Sequence, residues 1–253
     1  MGDEWAYRHP SGGTWVPRLT KVFDVFRNIE LQRWRDRVGH AEADRVAARA
    51  AKIGGAIDQR IAKHFDGKKV VPPKAPDAAR AWQAWLRWRE AQGAGFAPTR
   101  QQCLLFSPLG YAGTPDCIED GALATGGVNR VTEWKCTNAI EPIHWIQVMA
   151  QVGLAWPKLI GSVSIDDGLV RLDGPVPRVR IVRVDPFLGM VEPVERDFSP
   201  RLLLTFLAML KVYRDLFFEP EIARQQAAAE AIEAVTDEED LDGKPRNTTH
   251  PAY

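Results

Sequence analysis

The chain has 253 residues, 45% of them hydrophobic and 26% charged, with 33 basic residues balancing 33 acidic ones and three cysteines. That length allows one sizeable core, or a core with a small appendage. No apolar run approaches a membrane span, and three cysteines cannot make a paired framework. The start lacks a charged-then-apolar leader. Cys103, Cys117 and Cys136 therefore read as reduced thiols, and the expected location is the cytoplasm. Neutrality conceals a gradient. Residues 1–105 hold 19 Lys/Arg against 11 Asp/Glu, whereas residues 219–253 hold 3 against 9. A basic front can neutralise phosphates, and it can equally be a mixed solvated surface; composition leaves both open.

In chain order, residues 1–15 are polar and glycine-rich and predict a loose N-terminus. Over 18–37 the residues Leu19, Val22, Phe23, Phe26, Ile29, Leu31 and Trp34 form a helical apolar stripe, with Gly39 as its stop. A second helix is expected over 41–65, alanine-rich and interrupted by Gly54-Gly55. Each internal glycine costs about 1 kcal/mol relative to alanine and is tolerable where another backbone must come close. Pro72, Pro73 and Pro76 mark a connector, and Asp77 is the expected N-cap of a helix over 78–92. On it, Trp82, Trp85 and Trp88 recur among Arg80, Arg87 and Arg89. That pattern fits a packed helix face, the default, or a platform for unpaired bases.

The pattern changes after Thr99. Short strands are expected over 103–106, 111–123 and 131–136, the last two joined by a turn around Thr125-Gly126-Gly127. A helix over 140–156 stops at Pro157, and further strands are expected over 158–165 and 178–184. An apolar helix over 202–218 closes the core, with Ser199-Pro200 as cap and first turn. Residues 236–253 are expected to be disordered. The order predicts one α/β or α+β domain: a flexible start (1–15), a helical N-terminal part (16–98), a core (99–220) and a partly helical, then disordered, acidic tail (221–253).

Within the core, Gly113-Thr114-Pro115-Asp116 is followed by Val131-Thr132-Glu133-Trp134-Lys135. Strand side chains alternate faces, so Glu133 and Lys135 project to one side and Trp134 to the other. Hydrolysis of a phosphodiester needs charge stabilisation and an activated water. Mg²⁺ does this with one or two carboxylates plus water and phosphate oxygens. Asp116 and Glu133 supply carboxylates, the Trp134 carbonyl can complete the shell, and Lys135 can orient the nucleophile or offset developing charge.

These pieces, with Gln147 in Ile143-His144-Trp145-Ile146-Gln147, resemble the PD-(D/E)XK nuclease superfamily, in particular its RecB-like and phage-exonuclease branch. The front is similar too: Leu19-Thr20-Lys21-Val22-Phe23, then residues 31–39, then a helix with Gly54-Gly55. The resemblance covers about residues 15–215, and its specific part is 110–151. It implies a restriction-endonuclease-like core, a mixed central sheet flanked by helices. It also implies a metal-dependent deoxyribonuclease using Mg²⁺, with Mn²⁺ as substitute, whose helix glutamine, Gln147, assists Asp116, Glu133 and Lys135. Relatives often place a histidine ligand where Asp58 stands, so Asp58 joins Asp116, Glu133 and Trp134 as a candidate metal ligand. They often have a first-strand glutamate where this chain has Gln101-Gln102, and a tyrosine where it has Gln151. Three cysteines cannot supply the four-cysteine iron–sulfur cluster of some relatives.

Each piece has a plainer reading. Asp116 could cap a turn, and Glu133 with Lys135 could be a surface pair. Glu119 and Asp120 could assist the first acid, with a solvated loop as the default; His144 reads as structural or solvent-facing; Arg178, Arg180 and Arg183 could touch DNA backbone, with an exposed strand face as the default. Cys117 and Cys136 lack a histidine partner for nucleophilic chemistry. The joint order of the motif outweighs these readings for the core residues. The expected activity is an exonuclease on linear duplex or single-stranded DNA ends, in phage-type recombination, replication or repair. A recombination or single-strand-binding partner protein and a homo-oligomer are implied, and no membrane. The alternatives are a structure-specific endonuclease, or a catalytically weak nuclease-like DNA-binding or scaffold protein.

Overall fold

The structure is a computed structural model in which residues 5–25, 29–93, 96, 98–121 and 127–241 are described. They belong to two compact units, Met1–Leu210 and Lys211–Tyr253.

The first unit is built on a five-stranded mixed sheet. Its strands are β3 (Arg100–Gln101), β6 (Cys117–Glu119), β7 (Arg130–Lys135), β10 (Arg178–Asp185) and β11 (Met190–Asp197), in the order β11-β10-β7-β6-β3. Only β7 and β10 run parallel; the other pairs are antiparallel. A parallel pair needs a crossover. The chain supplies it through helix α5 (Pro142–Ala155) and the ribbon of β8 (Ile160–Ser164) and β9 (Leu169–Leu172). The mixed sheet with flanking helices is the expected fold class.

Alternation sets two faces on this sheet. Trp134 pairs with Val182, and Glu133 with Ile181. On the Trp134 side lies helix α4 (Pro76–Gln92). Its Trp82, Trp85 and Trp88 are buried with Trp134, Phe96, Val182 and Val184, and with Ile57 and Ile61 of helix α3 (His40–Phe65). Trp82 stacks on Trp85 at 5.1 Å between centroids, and Trp85 meets Trp134 edge-on at 5.9 Å. The three tryptophans are thus packing residues and no base platform. Helix α5 covers the other face, against β7 and β10. Helix α6 (Pro200–Tyr213) buries Leu203, Phe206, Leu207 and Leu210, with Phe206 edge-on to Tyr111 at 4.8 Å.

Several local expectations are corrected. Within the expected loose start, residues 6–17 form a hairpin: β1 (Ala6–Arg8) pairs with β2 (Trp15–Pro17), across a turn in which Gly13 takes φ +70°, and residues 1–4 lie outside the described residues. The helical stripe after Arg18 divides into α1 (Leu19–Val22), a 3-10 turn (Phe23–Val25) and α2 (Ile29–Val38), and residues 26–28 lie outside the described residues. Pro76 takes the first position of α4, which makes Ala75 the N-cap and moves Asp77 inside, where it accepts from Arg80 at 2.7 Å and from Arg49. The long strand over 111–123 is two strands. Pro115 has no N–H to donate, so the ladder breaks between β5 (Tyr111–Gly113) and β6. The former pairs with β4 (Leu105–Ser107) in a separate ribbon. Thr125 and Gly126 of the expected turn lie outside the described residues. Strands β9 and β11 were not expected. Gly54 and Gly55 answer to no close neighbour: a Cβ on Gly54 would meet only Cys136 Cβ at 3.9 Å, and one on Gly55 nothing within 4 Å.

The second unit begins inside α6 and continues as a π-helical turn (Arg214–Phe218) and helix α7 (Glu219–Leu241). The helix passes the expected onset of disorder at 236, and residues beyond Leu241 lie outside the described residues.

Candidate active site

Asp116 is the last residue before β6, and β6 pairs with β7 only as far as Cys117 opposite Thr132. Two residues further along β7, the Trp134 N–H points to the same edge but meets no β6 backbone. It donates instead to Asp116 Oδ2 at 2.8 Å. A strand residue's N–H and C=O leave on the same edge. The Trp134 carbonyl therefore emerges beside Asp116, where the ladder has ended. Pro115 thus does two things: it stops β5 and it frees a strand edge at the carboxylate.

Glu133 is only 5% exposed, and both of its oxygens are occupied. Oε1 accepts from Lys135 Nζ at 2.7 Å and from Gln147 Nε2 at 2.7 Å, and Oε2 accepts from Gln151 Nε2 at 2.7 Å. Lys135 Nζ also donates to Gln147 Oε1 at 3.0 Å, closing a triangle. The two glutamines stand four residues apart on α5, so they form one face of that helix above the strand. Gln151 is buried, and its Oε1 finds no partner. Its side borders a small cavity of about 170 Å³ shared by Tyr7, Arg18, Thr20, Thr114 and Gln147.

Three carboxylates face one ammonium here. Burial pushes Asp58 up to about 6, helped by the charge of Glu133 and opposed by Lys135. Burial likewise raises Asp116 well above the usual carboxylate range, and Glu133 and Asp58 add to the rise. Burial alone would lower Lys135, but Glu133, Asp116 and Asp58 together hold it above the usual lysine range. The cluster is short of positive charge. Its donor atoms are all hard oxygens: three carboxylates and the open Trp134 carbonyl. Among the described residues, no three His, Cys, Asp or Glu side chains form a ready group for a metal ion. Hard oxygens of this kind suit a cation such as Mg²⁺, which takes few protein ligands and keeps water. The Cys136 thiol and the His144 imidazole also lie in electrostatic range, but burial pushes the thiol up and His144 is engaged with Glu141 at the start of α5.

The structure brings Asp116, Glu133, Lys135 and Gln147 into one connected cluster, with Asp58 from α3 in electrostatic range. Gln151 is the residue whose contact the sequence reading missed. The four-residue spacing from Gln147 is the sequence signal for this contact. Other candidates resolve as follows. Glu119 is not in a solvated loop; it is buried in β6 and paired with Arg130 at 3.1 Å. Asp120 holds Thr99, Arg100 and the Trp156 indole, away from the cluster. Gln101 pairs with Cys117 in the sheet. His144 forms a capping box with Glu141 at the start of α5. Arg178, Arg180 and Arg183 are no open face: they are bonded to Glu195, Asp197, Glu192 and Asp185. Burial pushes the Cys136 thiol up to about 12 and Cys117 higher still, the reverse of a nucleophile's requirement.

No protein-family model matches the chain, and no curated protein matches it. Among solved structures it is similar to an alkaline exonuclease (LHK-Exo) from Laribacter hongkongensis, at 15% identity and a TM-score of 0.42, covering 84% of this chain and 93% of that one. It is also similar to LHK-Exo in complex with dAMP, at 14% identity and a TM-score of 0.38, covering 71% of this chain and 92% of that one.

Proposed function

We propose that the protein is a metal-dependent deoxyribonuclease of the PD-(D/E)XK type that hydrolyses phosphodiester bonds. The observation that carries this reading is the charge-deficient cluster: Asp58, Asp116 and Glu133 against Lys135 alone, beside an open strand edge. Asp116, Glu133, the Trp134 carbonyl and Asp58 would hold Mg²⁺, or Mn²⁺ in its place. Such an ion supplies Lewis acidity toward the phosphate and a lowered pKa for bound water.

The chain's own residues do the rest. Lys135 holds its proton firmly, so its role is electrostatic: it offsets charge gathering on the attacked phosphate and can orient the nucleophile. Gln147 ties Lys135 to Glu133, so ammonium and carboxylate keep one relative position. Gln151 fixes the second Glu133 oxygen, which leaves the carboxylate plane no freedom to rotate. Burial against α5 limits competing water and strengthens each of these interactions.

The exonuclease reading, with action at linear DNA ends in phage-type recombination, replication or repair, follows the resemblance in the sequence. So do a recombination or single-strand-binding partner, a homo-oligomer and a cytoplasmic location. Among the described residues no helix is long and apolar enough to cross a membrane. A second reading, a nuclease-like DNA-binding protein without turnover, draws on one fact: both Glu133 oxygens are already satisfied by protein donors.

The test uses end-labelled linear duplex, single-stranded DNA and closed circles, with Mg²⁺ or Mn²⁺, beside Lys135→Ala. Loss from ends alone, abolished in the variant, supports the exonuclease. Nicking of circles points to the endonuclease, and binding without metal-dependent cleavage leaves the second reading standing.

A further inference from the structure

Helix α5 presents more than two glutamines to the cluster. His144 stands three residues before Gln147 and seven before Gln151, and positions so spaced share one face of a helix. Gln151 reaches Glu133 alone, and Gln147, one turn nearer the helix start, reaches both Glu133 and Lys135. A further step of about 4.5 Å along the helix axis leads to His144. That places the half-buried ring at the Lys135 end of the cluster, and it feels the charges of both Lys135 and Glu133.

The hydrogen bonds of the ring fix where its proton sits. The Glu141 N–H donates to Nδ1 at 3.1 Å. A ring nitrogen that accepts carries no proton, so the imidazole is neutral and its single N–H is at Nε2. Burial, and after it the Lys135 ammonium, hold the group below the usual histidine range against the pull of Glu141 and Glu133, which keeps this form at neutral pH. Among the described residues, Nε2–H has no hydrogen-bond partner. A capping box is ordinarily closed at this third helical position by Glu or Gln. Either would serve the cap, whereas an imidazole adds a second, directed N–H that the cap does not use. Bearing its proton, Nε2 is a donor and no metal ligand.

We propose that His144 is a further catalytic residue, whose Nε2–H donates a hydrogen bond to a non-bridging oxygen of the phosphate under attack, beside the charge that Lys135 supplies. The proposal rests on the nuclease reading. The proton stays on Nε2 throughout, so the ring acts as a fixed donor toward gathering charge and not as an acid or base. The cap is what aims it: the bond from Glu141 to Nδ1 selects the tautomer and holds the ring plane. A neutral donor also suits a place beside an ammonium, where an imidazolium would be repelled.

The experiment separates the cap from the donor. It compares wild type with His144→Asn, His144→Glu and His144→Gln in the full chain, on end-labelled linear duplex with Mn²⁺. Asn sets its oxygen where Nδ1 was and ends there, and Glu is an ordinary capping residue that only accepts. Both keep the cap, so their melting temperatures should stay close to wild type. Their kcat should fall by about 10–100-fold, the scale of one hydrogen bond to a charged group, with KM little changed. Gln accepts for the cap and offers an N–H as well, so it should recover part of the loss. A kcat for His144→Asn within about twofold of wild type would overturn the proposal. So would a loss that follows the melting temperature through all three variants, which is the behaviour of a cap alone. Activity restored to His144→Asn by raised Mn²⁺ would overturn it too, since the ring would then be a metal ligand. Nitrogen NMR of labelled histidine at neutral pH should show Nε2 protonated and Nδ1 bare, and the opposite tautomer would sink the role whatever the activity. Lys135→Ala is measured beside these variants. Cleavage that Lys135→Ala abolishes and His144→Asn leaves whole removes the role of His144 and keeps the nuclease reading. No metal-dependent cleavage by wild type removes that reading, and the role with it.

Discussion

Two charged clusters lie on opposite faces of one sheet, and their charge balance differs. On the α4 face, Arg130, Arg178 and Arg180 meet Glu119, Glu195 and Asp197 in a mesh of ion pairs between 2.7 and 3.8 Å. Three cations face three anions, and none is left over. On the α5 face, Asp58, Asp116 and Glu133 share Lys135, and burial together with their mutual repulsion raises the two aspartates. Buried charge that only has to be tolerated is neutralised on the spot. Buried charge left in excess is relieved by a proton or by another cation, and that difference separates the proposed site from the structural mesh more sharply than burial does.

The comparison breaks or sharpens in four measurements. The largest effect is expected in the balanced cluster. Arg180→Ala leaves Glu195 and Glu119 short of a partner, and denaturant unfolding should show a loss of about 3–5 kcal/mol. The nuclease activity of the folded fraction should be unchanged. Next comes Asp116→Asn in the excess cluster, where stability should hold or rise because a buried carboxyl held well above its usual range is replaced by a neutral amide whose oxygen can still accept from Trp134. Cleavage should fall by about 10²–10³, on the scale of losing one transition-state contact. If Asp116→Asn unfolds the protein and Arg180→Ala inactivates it, the two roles are reversed.

The third measurement uses pH. A carboxyl raised in the folded state costs stability as pH rises from its unfolded value to its folded one, and Asp58 makes that interval run from 3.8 to about 6. At pH 5 Asp58 is largely protonated, whereas at pH 8 it brings its charge to the cluster. Added Mg²⁺ should therefore raise the melting temperature markedly at pH 8, by the equivalent of about 2.7 kcal/mol at a hundredfold excess over its dissociation constant, and little at pH 5. An equal shift at both values would count against the cluster as the binding site. The smallest effect belongs to Gln151→Leu. It removes one hydrogen bond to Glu133, worth about 1.5–3 kcal/mol when the acceptor is charged, and should appear mainly in kcat. Gln151→Glu, which adds a fourth carboxylate, should instead raise the metal affinity or unfold the site.

Much of the site was readable as text. Glu133 and Lys135 share a face because strands alternate, and Trp134 is turned into the α4 core for the same reason. Pro115 announced the strand break at Asp116, although the expected strand ran through it; the missing N–H proved stronger than the apolar content of 111–123. The N-terminal hairpin escaped because its residues are polar and short, and its pairing is a matter of register across a turn. Glu119 and the arginines of β10 looked like surface because sequence patterns assign charge to water, and only their mutual neutralisation allows them inside. The signal for Gln151 lies in its spacing from Gln147, about one helical turn along α5, and not in the resemblance.

The sequence by itself determined the alternation on β7, the main helices with strands β7 and β10, and the set of residues able to do this chemistry, because those depend on short-range periodicity and donor type. The tertiary structure alone decided which charges meet. It set α5 over Glu133, brought Asp58 in from a helix nearly sixty residues before Asp116, and gave the arginines their own partners elsewhere. Charge balance depends on distances between segments far apart in the chain, and no local pattern encodes it.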